Sequence, residues 1–392
     1  MKTTILFAAT LLGTSLSFAA CNNASGNNRN TTTVTENASE KSAKDGNTKI
    51  QVALLLDTSN SMDGLIEQAK SRLWNIVNTL TTLKYQGKTP DIEIGLYEYG
   101  NDGLSSQSNY IRQVTSLTTD LDLISEKLFS LRTNGGSEYC GAVIADATKQ
   151  LSWGKDSANM KLIYIAGNEA FNQGGINYKE AISDALRNNI FVNTIFCGDA
   201  HEGVNTFWKD GADVGKGKYF NIDSNQSVQY IVTPYDVRIS ECNTKINTTY
   251  ISYGTKGYEK KRNQEMQDQN AQGVSSANYA ERAVSKSKAA YKNDSWDLVD
   301  KLKDDKEAIG KIKKEELPEE LKNKSKDEIK VYVEKKSKER EAIQKEISEL
   351  AKKRQDYIDN EAKKTKTQDD LGNAINTSII AFAKIKGYTV EK

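Results

Sequence analysis

Val52-Ala53-Leu54-Leu55-Leu56-Asp57-Thr58-Ser59-Asn60-Ser61-Met62 is the stretch on which the fold class turns. Its five leading residues form an unbroken apolar run, as in a strand covered on both faces and therefore central in a parallel sheet. Asp57, Ser59 and Ser61 follow at the spacing D-x-S-x-S, in the turn before a helical pattern that begins near Leu65. In open α/β sheets, ligands sit beyond the carboxyl ends of the strands. Here one carboxylate and two hydroxyls project into that crevice. Side chains two apart in a tight turn can share one centre, and hard oxygen donors without His or Cys suit Mg²⁺, Mn²⁺ or Ca²⁺.

Outward from this turn, residues 47–235 alternate short apolar runs with amphipathic stretches. The strands expected are Ile50–Leu56, Ile92–Tyr99, Met160–Ala166, Ile190–Phe196 and Lys218–Ile222, with an edge strand at Tyr110–Ser116. Helices are expected over Leu65–Leu83, Leu121–Leu131, Gly141–Leu151 and Tyr178–Asn188. The alternation predicts a doubly wound, mostly parallel α/β sheet. Residues 236–255 read as a connection with a strand-like Thr249–Tyr253. From 256 to 392, charged helix formers dominate, and the segment reads as an all-α, partly coiled-coil-like domain. Ile329, Val333, Ile343, Ile347, Leu350 and Tyr357 fall on a 3–4 spacing that Lys336, Arg340 and Arg354 interrupt. An antiparallel helical hairpin or bundle fits that broken seam better than a long symmetric coiled coil.

The strand–D-x-S-x-S–helix arrangement resembles the von Willebrand factor type A domain and its metal-ion-dependent adhesion site, over about residues 47–235. The resemblance implies that Ser59 and Ser61 bind the metal directly and that Asp57 approaches it through water. The family's second metal loop corresponds to Leu131-Arg132-Thr133-Asn134-Gly135-Gly136-Ser137-Glu138, which offers Ser137, with Thr133 as a poorer alternative. Its third loop normally carries an Asp. This chain has Asn168 there, in Ile165-Ala166-Gly167-Asn168-Glu169, so one negative charge is missing unless Glu138 or Glu169 turns inward. The resemblance thus implies a divalent cation (Mg²⁺, or Ca²⁺ or Mn²⁺), held by Ser59, Ser61 and Ser137 with Asp57 and Asn168 orienting its waters. It also implies a protein partner that completes the shell with a carboxylate. The alternative is an envelope scaffold with a vestigial site that binds through its charged helices.

The N-terminus adds an address. Residues 1–20 have a basic start, an apolar run and small residues before Cys21, the pattern of a secretory signal peptide. Leu16-Ser17-Phe18-Ala19-Ala20-Cys21 resembles a bacterial lipobox, with Phe18 where Leu is usual. It implies lipidation of Cys21, the alternative being ordinary cleavage and a plain thiol. Residues 22–46 lack aromatic residues and suit a flexible tether. With Gln267-Asp268-Gln269-Asn270-Ala271 and Ser295-Trp296-Asp297-Leu298-Val299-Asp300, the chain resembles bacterial lipoprotein members of the family that carry a helical extension. Asn22 after the Cys favours the outer membrane, with the chain facing the periplasm or the exterior.

Composition narrows the chemistry. The 392 residues carry a net charge of +1, 27% charged residues and a mean hydropathy of -0.65. A balance so near zero gives no whole-chain argument for nucleic acid binding. One histidine, His201, excludes any multi-His metal cluster and reads as an exposed loop residue. Four cysteines without a C-x-x-C exclude a zinc ribbon. In an exported protein, Cys140 and Cys197 could form a disulfide or remain buried thiols. No general base presents itself, so a non-enzymatic binding role is expected.

Overall fold

The computed structural model describes residues 47–364 and 370–391. The expected signal peptide, Cys21 and tether lie outside the described residues. The first half runs β1 (Lys49–Asp57), α1 (Asp63–Thr81), β2 (Leu83–Tyr85), β3 (Asp91–Tyr99), β4 (Ile111–Thr118), α2 (Leu121–Ser130), α3 (Cys140–Gln150) and β5 (Met160–Gly167). It continues with α4 (Tyr178–Arg187), β6 (Ile190–Cys197), α5 (Ala200–Asn205), α6 (Trp208–Val214) and β7 (Lys216–Ile222). Six strands form one sheet in the order β4-β3-β1-β5-β6-β7. All neighbours pair parallel except β3 and β4. β1 lies inside the sheet, as its apolar run requires. Its residues alternate between two cores: Val52, Leu54 and Leu56 join one, Ala53 and Leu55 the other.

The second core is closed by α3, α4 and α6, through residues such as Val143, Ile182 and Trp208. The first is covered by α1 and by helices from the C-terminal half. The helices of that half are α7 (Asp236–Asn247), α8 (Gly257–Val274), α9 (Ser276–Lys286), α10 (Leu298–Asp304), α11 (Glu319–Lys322), α12 (Lys326–Ala362) and α13 (Leu371–Ile385), of which α10 and α11 instead close a third core with Ile251, Ile329 and Val333. Ala280, Ala283, Ile375, Ile379 and Phe382 share that core with Leu54, Leu73 and Val77. A last strand, β8 (Tyr388–Val390), pairs antiparallel with β2. The described residues therefore form one compact unit. The segment 236–255 is a connection within it, and much of that segment is helix α7.

Buried arginines fasten the C-terminal helices. Arg282 of α9 pairs at 2.7 Å with both Asp122 of α2 and Asp268 of α8, and its guanidinium stacks 4.4 Å from the Trp74 ring of α1. Lys286 reaches the same Asp268 at 2.8 Å. Arg340 and Arg354, expected to interrupt the seam of α12, are buried members of it. Arg340 Nη1 donates to Asp297 at 2.7 Å and to Asp300 at 2.9 Å, while its Nε donates to Thr249 Oγ1. Arg354 Nε donates to Asp236 at 2.8 Å. A guanidinium can occupy a buried seam position when carboxylates meet its donors. Among the described residues α12 packs on α7, α9 and α10, whereas α13 lies along α1.

Among the described residues no helix is long and apolar enough to cross a membrane. Cys140 and Cys197 are both buried free thiols, so the disulfide alternative is not realised. Cys140 belongs to one core and Cys197 to the other, which puts the sheet between them. The Cys140 thiol instead lies 3.9 Å from the Tyr99 hydroxyl. His201 is exposed as expected, but sits on the short helix α5 rather than in a loop.

Candidate metal centre

Three loops, one after β1, one between α2 and α3 and one after β5, meet against the end of β3 beyond the carboxyl ends of the strands. The first leaves β1 at Asp57 and enters a 3-10 turn, Asn60–Met62, before α1. Asp57 Oδ1 accepts the Ser59 amide at 2.7 Å, a side-chain-to-backbone turn that folds the loop over its own carboxylate. Thr58 N donates to Tyr99 O at 2.9 Å, tying this loop to the end of β3. Asn134 N donates to Thr58 O, also at 2.9 Å, and so attaches the Gly135-Gly136 loop. Asn101 Nδ2 donates to Arg132 O at 2.9 Å from the other side.

The polar side chains converge as the D-x-S-x-S spacing requires. Ser59 Oγ and Ser61 Oγ lie 3.3 Å apart, and Ser61 Oγ donates to Asn168 Oδ1 at 3.3 Å. Asp57, Ser59, Ser61 and Asn168 are thus assembled. Ser137 is half-buried, and the hydrogen bonds that join these four do not include it. Thr133 turns away to donate to Asp63.

The carboxyl that does turn inward is that of Glu138, next to Ser137. It is buried beside Asp57 and Ser59, and it accepts the Glu169 amide at 3.3 Å. Glu169 remains on the rim, where its own carboxylate accepts from Gln173 at 3.0 Å. A carboxyl from the second loop thus lies beside the third loop, in which Asn168 stands.

This pair of carboxyls lacks a counter-charge. Asp57 is fully buried, and its Oδ2 finds no hydrogen-bond donor. Burial and the neighbouring Glu138 push the Asp57 carboxyl well above the usual carboxylate range, and burial pushes Glu138 up as well. Among the described residues no three His, Cys, Asp or Glu side chains form a metal-ligating group. An ion here would rest on two carboxylates plus hydroxyl and amide oxygens. That all-oxygen set fits a hard divalent cation, which would supply the missing positive charge.

Some supporting residues carry no signal in the D-x-S-x-S pattern. Gly100 has φ +78°, and a Cβ there would lie 2.8 Å from both Asp57 Oδ1 and Glu138 Cγ. At Gly167 a Cβ would meet the Tyr99 hydroxyl at 2.5 Å and Asp57 Oδ2 at 3.0 Å. Both positions need glycine because the carboxylates are packed from behind. Tyr99 donates to Ala166 O at 3.0 Å, holding β3 against the third loop, and the Trp208 indole donates to Glu169 O at 2.7 Å. The Tyr99-Gly100-Asn101 cluster at the end of β3 is the feature of the sequence that could have revealed this support.

Residues 51–234 match the sequence model of the von Willebrand factor type A domain. Solved structures similar to part of the chain include BatB from Bacteroides thetaiotaomicron, at 18% identity over 44% of this chain and 90% of that one, with a TM-score of 0.35. An aerotolerance-related membrane protein from Bacteroides fragilis is 18% identical over 45% and 93% of the two chains, with a TM-score of 0.31. Proximal thread matrix protein 1 from the mussel byssus, solved with a zinc-occupied MIDAS motif, is 12% identical over 45% and 42%, with a TM-score of 0.34. No curated protein matches the chain.

Proposed function

With residues 51–234 a von Willebrand factor type A domain, we propose that the chain is a non-enzymatic binding protein whose metal centre captures a carboxylate of a protein partner. The observation that carries this reading is the buried Asp57–Glu138 pair, with an orphaned Asp57 Oδ2, at the point where Ser59, Ser61 and Asn168 converge. Two adjacent buried carboxyls are costly without a cation. A divalent ion would supply the counter-charge that both groups lack. Ser59, Ser61 and Glu138 would hold the ion and Asp57 and Asn168 would position its waters, with Ser137 able to join from the rim. The ion would supply a Lewis-acidic point of attachment for an incoming carboxylate. The chain's own contribution is a shaped, largely buried oxygen cradle, fixed by Tyr99, Asn101 and Asn134.

We propose further that Cys21 carries a lipid anchor that holds this domain in a bacterial envelope, in the outer membrane, with residues 22–46 as its tether; the signal-like residues 1–20 and the lipobox-like Leu16–Cys21 support this reading. Mass labelling with palmitate and its loss in Cys21→Ser test that part. The binding reading is tested with the full chain by thermal melting with Mg²⁺ or Mn²⁺ against chelator, for the native protein and Ser61→Ala. A metal-dependent rise in melting temperature that the variant lacks supports it. No rise at millimolar ion would leave the site vestigial, and the charged helices would become the binding surface to test, by its sensitivity to salt.

A further inference from the structure

The rim beside the metal centre carries bulky side chains where the backbone asks for glycine. Phe207 lies just past the end of α5 with φ +70°, a left-handed position normally filled by Gly or Asn. Tyr110, which ends the loop after β3, has φ +54°. A ring at either place is conformationally costly, and neither is placed there to fill a core: Phe207 is 42% exposed and Tyr110 half-buried. Strain of this kind collects at ligand-binding positions.

The two residues belong to one arc. The Tyr110 ring meets Tyr139 edge-on at 6.1 Å. Tyr139 packs behind Gly174, where a Cβ would come within 2.7 Å of the ring. That loop continues to Ile176, which is 41% exposed. Phe207 approaches Tyr178 at 6.5 Å, and its amide donates to Val204 O at 3.3 Å. Val204 is 47% exposed. Tyr110, Tyr139, Ile176, Phe207 and Val204 all come from loops or helix ends beyond the carboxyl edge of the sheet, the edge that holds the metal centre. At two points the arc is one residue removed from it. Tyr139 follows Glu138, and Phe207 precedes Trp208, whose indole holds the Glu169 carbonyl next to Asn168.

We infer that this apolar crescent is the specificity half of the binding face, and that the partner presents an acidic side chain flanked by large apolar residues. The inference rests on the reading that the centre takes a carboxylate. Its ground is continuity of the loops: Tyr139 follows Glu138, and the Phe207 loop is tied to the third metal loop by the Phe171 amide on Thr206 O at 2.9 Å and the Trp208 indole on Glu169 O, so a peptide anchored through its carboxylate lays the neighbouring side chains on these rings. Apolar flanks bury against Phe207 and Ile176, whereas polar flanks leave them wet.

Two capped pentapeptides test this on the full chain by calorimetry in Mg²⁺. One has a central glutamate between leucine and phenylalanine, the other between serine and glycine. The apolar-flanked peptide should bind about tenfold more tightly, the effect of burying one large apolar side chain. Phe207→Gly suits the local backbone, so it should melt at or above the native temperature and keep the native Mg²⁺ affinity, yet lose that preference. Equal binding of both peptides, no binding of either at millimolar concentration with Mg²⁺ bound, or an unchanged preference in Phe207→Gly would each overturn the inference. A chelator arm separates the two readings. A preference that persists without metal supports the crescent and counts against the carboxylate-capturing centre, and a preference that vanishes supports both.

Discussion

Carboxylates are buried in two parts of this molecule, and they are treated in opposite ways. Between α2, α8 and α9, Asp122 and Asp268 face Arg282 and Lys286 at 2.7–2.8 Å. Despite its burial, Asp268 is held well below the usual carboxylate range by those cations. Beyond the carboxyl end of β1, Asp57 and Glu138 are buried against each other with no cation, and both are pushed up. The first arrangement is finished within the chain. The second has no such partner within the described residues, and on the proposed reading a positive charge from outside finishes it. That difference is the ground for reading one as a structural polar network and the other as a binding site, although residue type and burial are alike.

Removing the internal cation should have the largest effect. Arg282→Met strips Asp122 of its cation in a dry interface and leaves Asp268 with Lys286 alone, and the expected loss is roughly 3–5 kcal/mol in denaturant unfolding. At the metal centre the sign reverses. Asp57→Asn keeps an acceptor for the Ser59 amide but removes an uncompensated charge. It should raise the stability of the metal-free protein by about 1–3 kcal/mol while abolishing the metal-dependent increment.

Glu281 of α9 lies between these extremes. Its nearest cation is Arg354, 3.7 Å away, its Oε2 is unpartnered, and burial raises its carboxyl to about 7. Asp236 and Asp370 already engage Arg354 and Arg72. A carboxyl raised by folding contributes stability fully present below its unfolded value, near 4.5, and lost as pH rises through about 7. Stability should therefore fall by on the order of 1–2 kcal/mol between pH 5 and 8, and Glu281→Gln should flatten that decline. Asp268 has the opposite sign: its contribution is present at neutral pH and is lost on acidification. The smallest effect expected is at the third loop. Asn168→Asp restores an anionic group beside Ser61 and should tighten Mg²⁺ binding by about tenfold, or about 1.4 kcal/mol.

The sheet was legible because its signals are local. The apolar run at Val52–Leu56 specifies a doubly covered strand, and the turn chemistry after it specifies where the ligands go. Helices α5 and α6 were missed because they are only six and seven residues long, too short to show a period. β2 and β8 are three-residue strands, with Leu83 opposite Val390, a pairing that no local pattern announces. Arg340 and Arg354 read as breaks in the α12 seam for a related reason. Their burial depends on Asp297 and Asp236, distant in sequence, so the side chain alone gives no sign of it. The spacing singled out Asp57, Ser59 and Ser61, and the family resemblance added Asn168; the four side chains do meet. It could not show that Glu138, rather than its neighbour Ser137, supplies the inward group, since that depends on how Gly100 lets the loop approach.

The most direct test of the contrast is calorimetric titration of Mg²⁺ into the full chain and its Asp57→Asn variant at pH 7 in two buffers of different ionisation enthalpy. A centre completed by an external cation predicts saturable, single-site binding at millimolar ion or below, with release of protons from the Asp57–Glu138 pair, and no binding in the variant. Absence of saturable heat at 10 times that concentration, or equal binding by the variant, would contradict it.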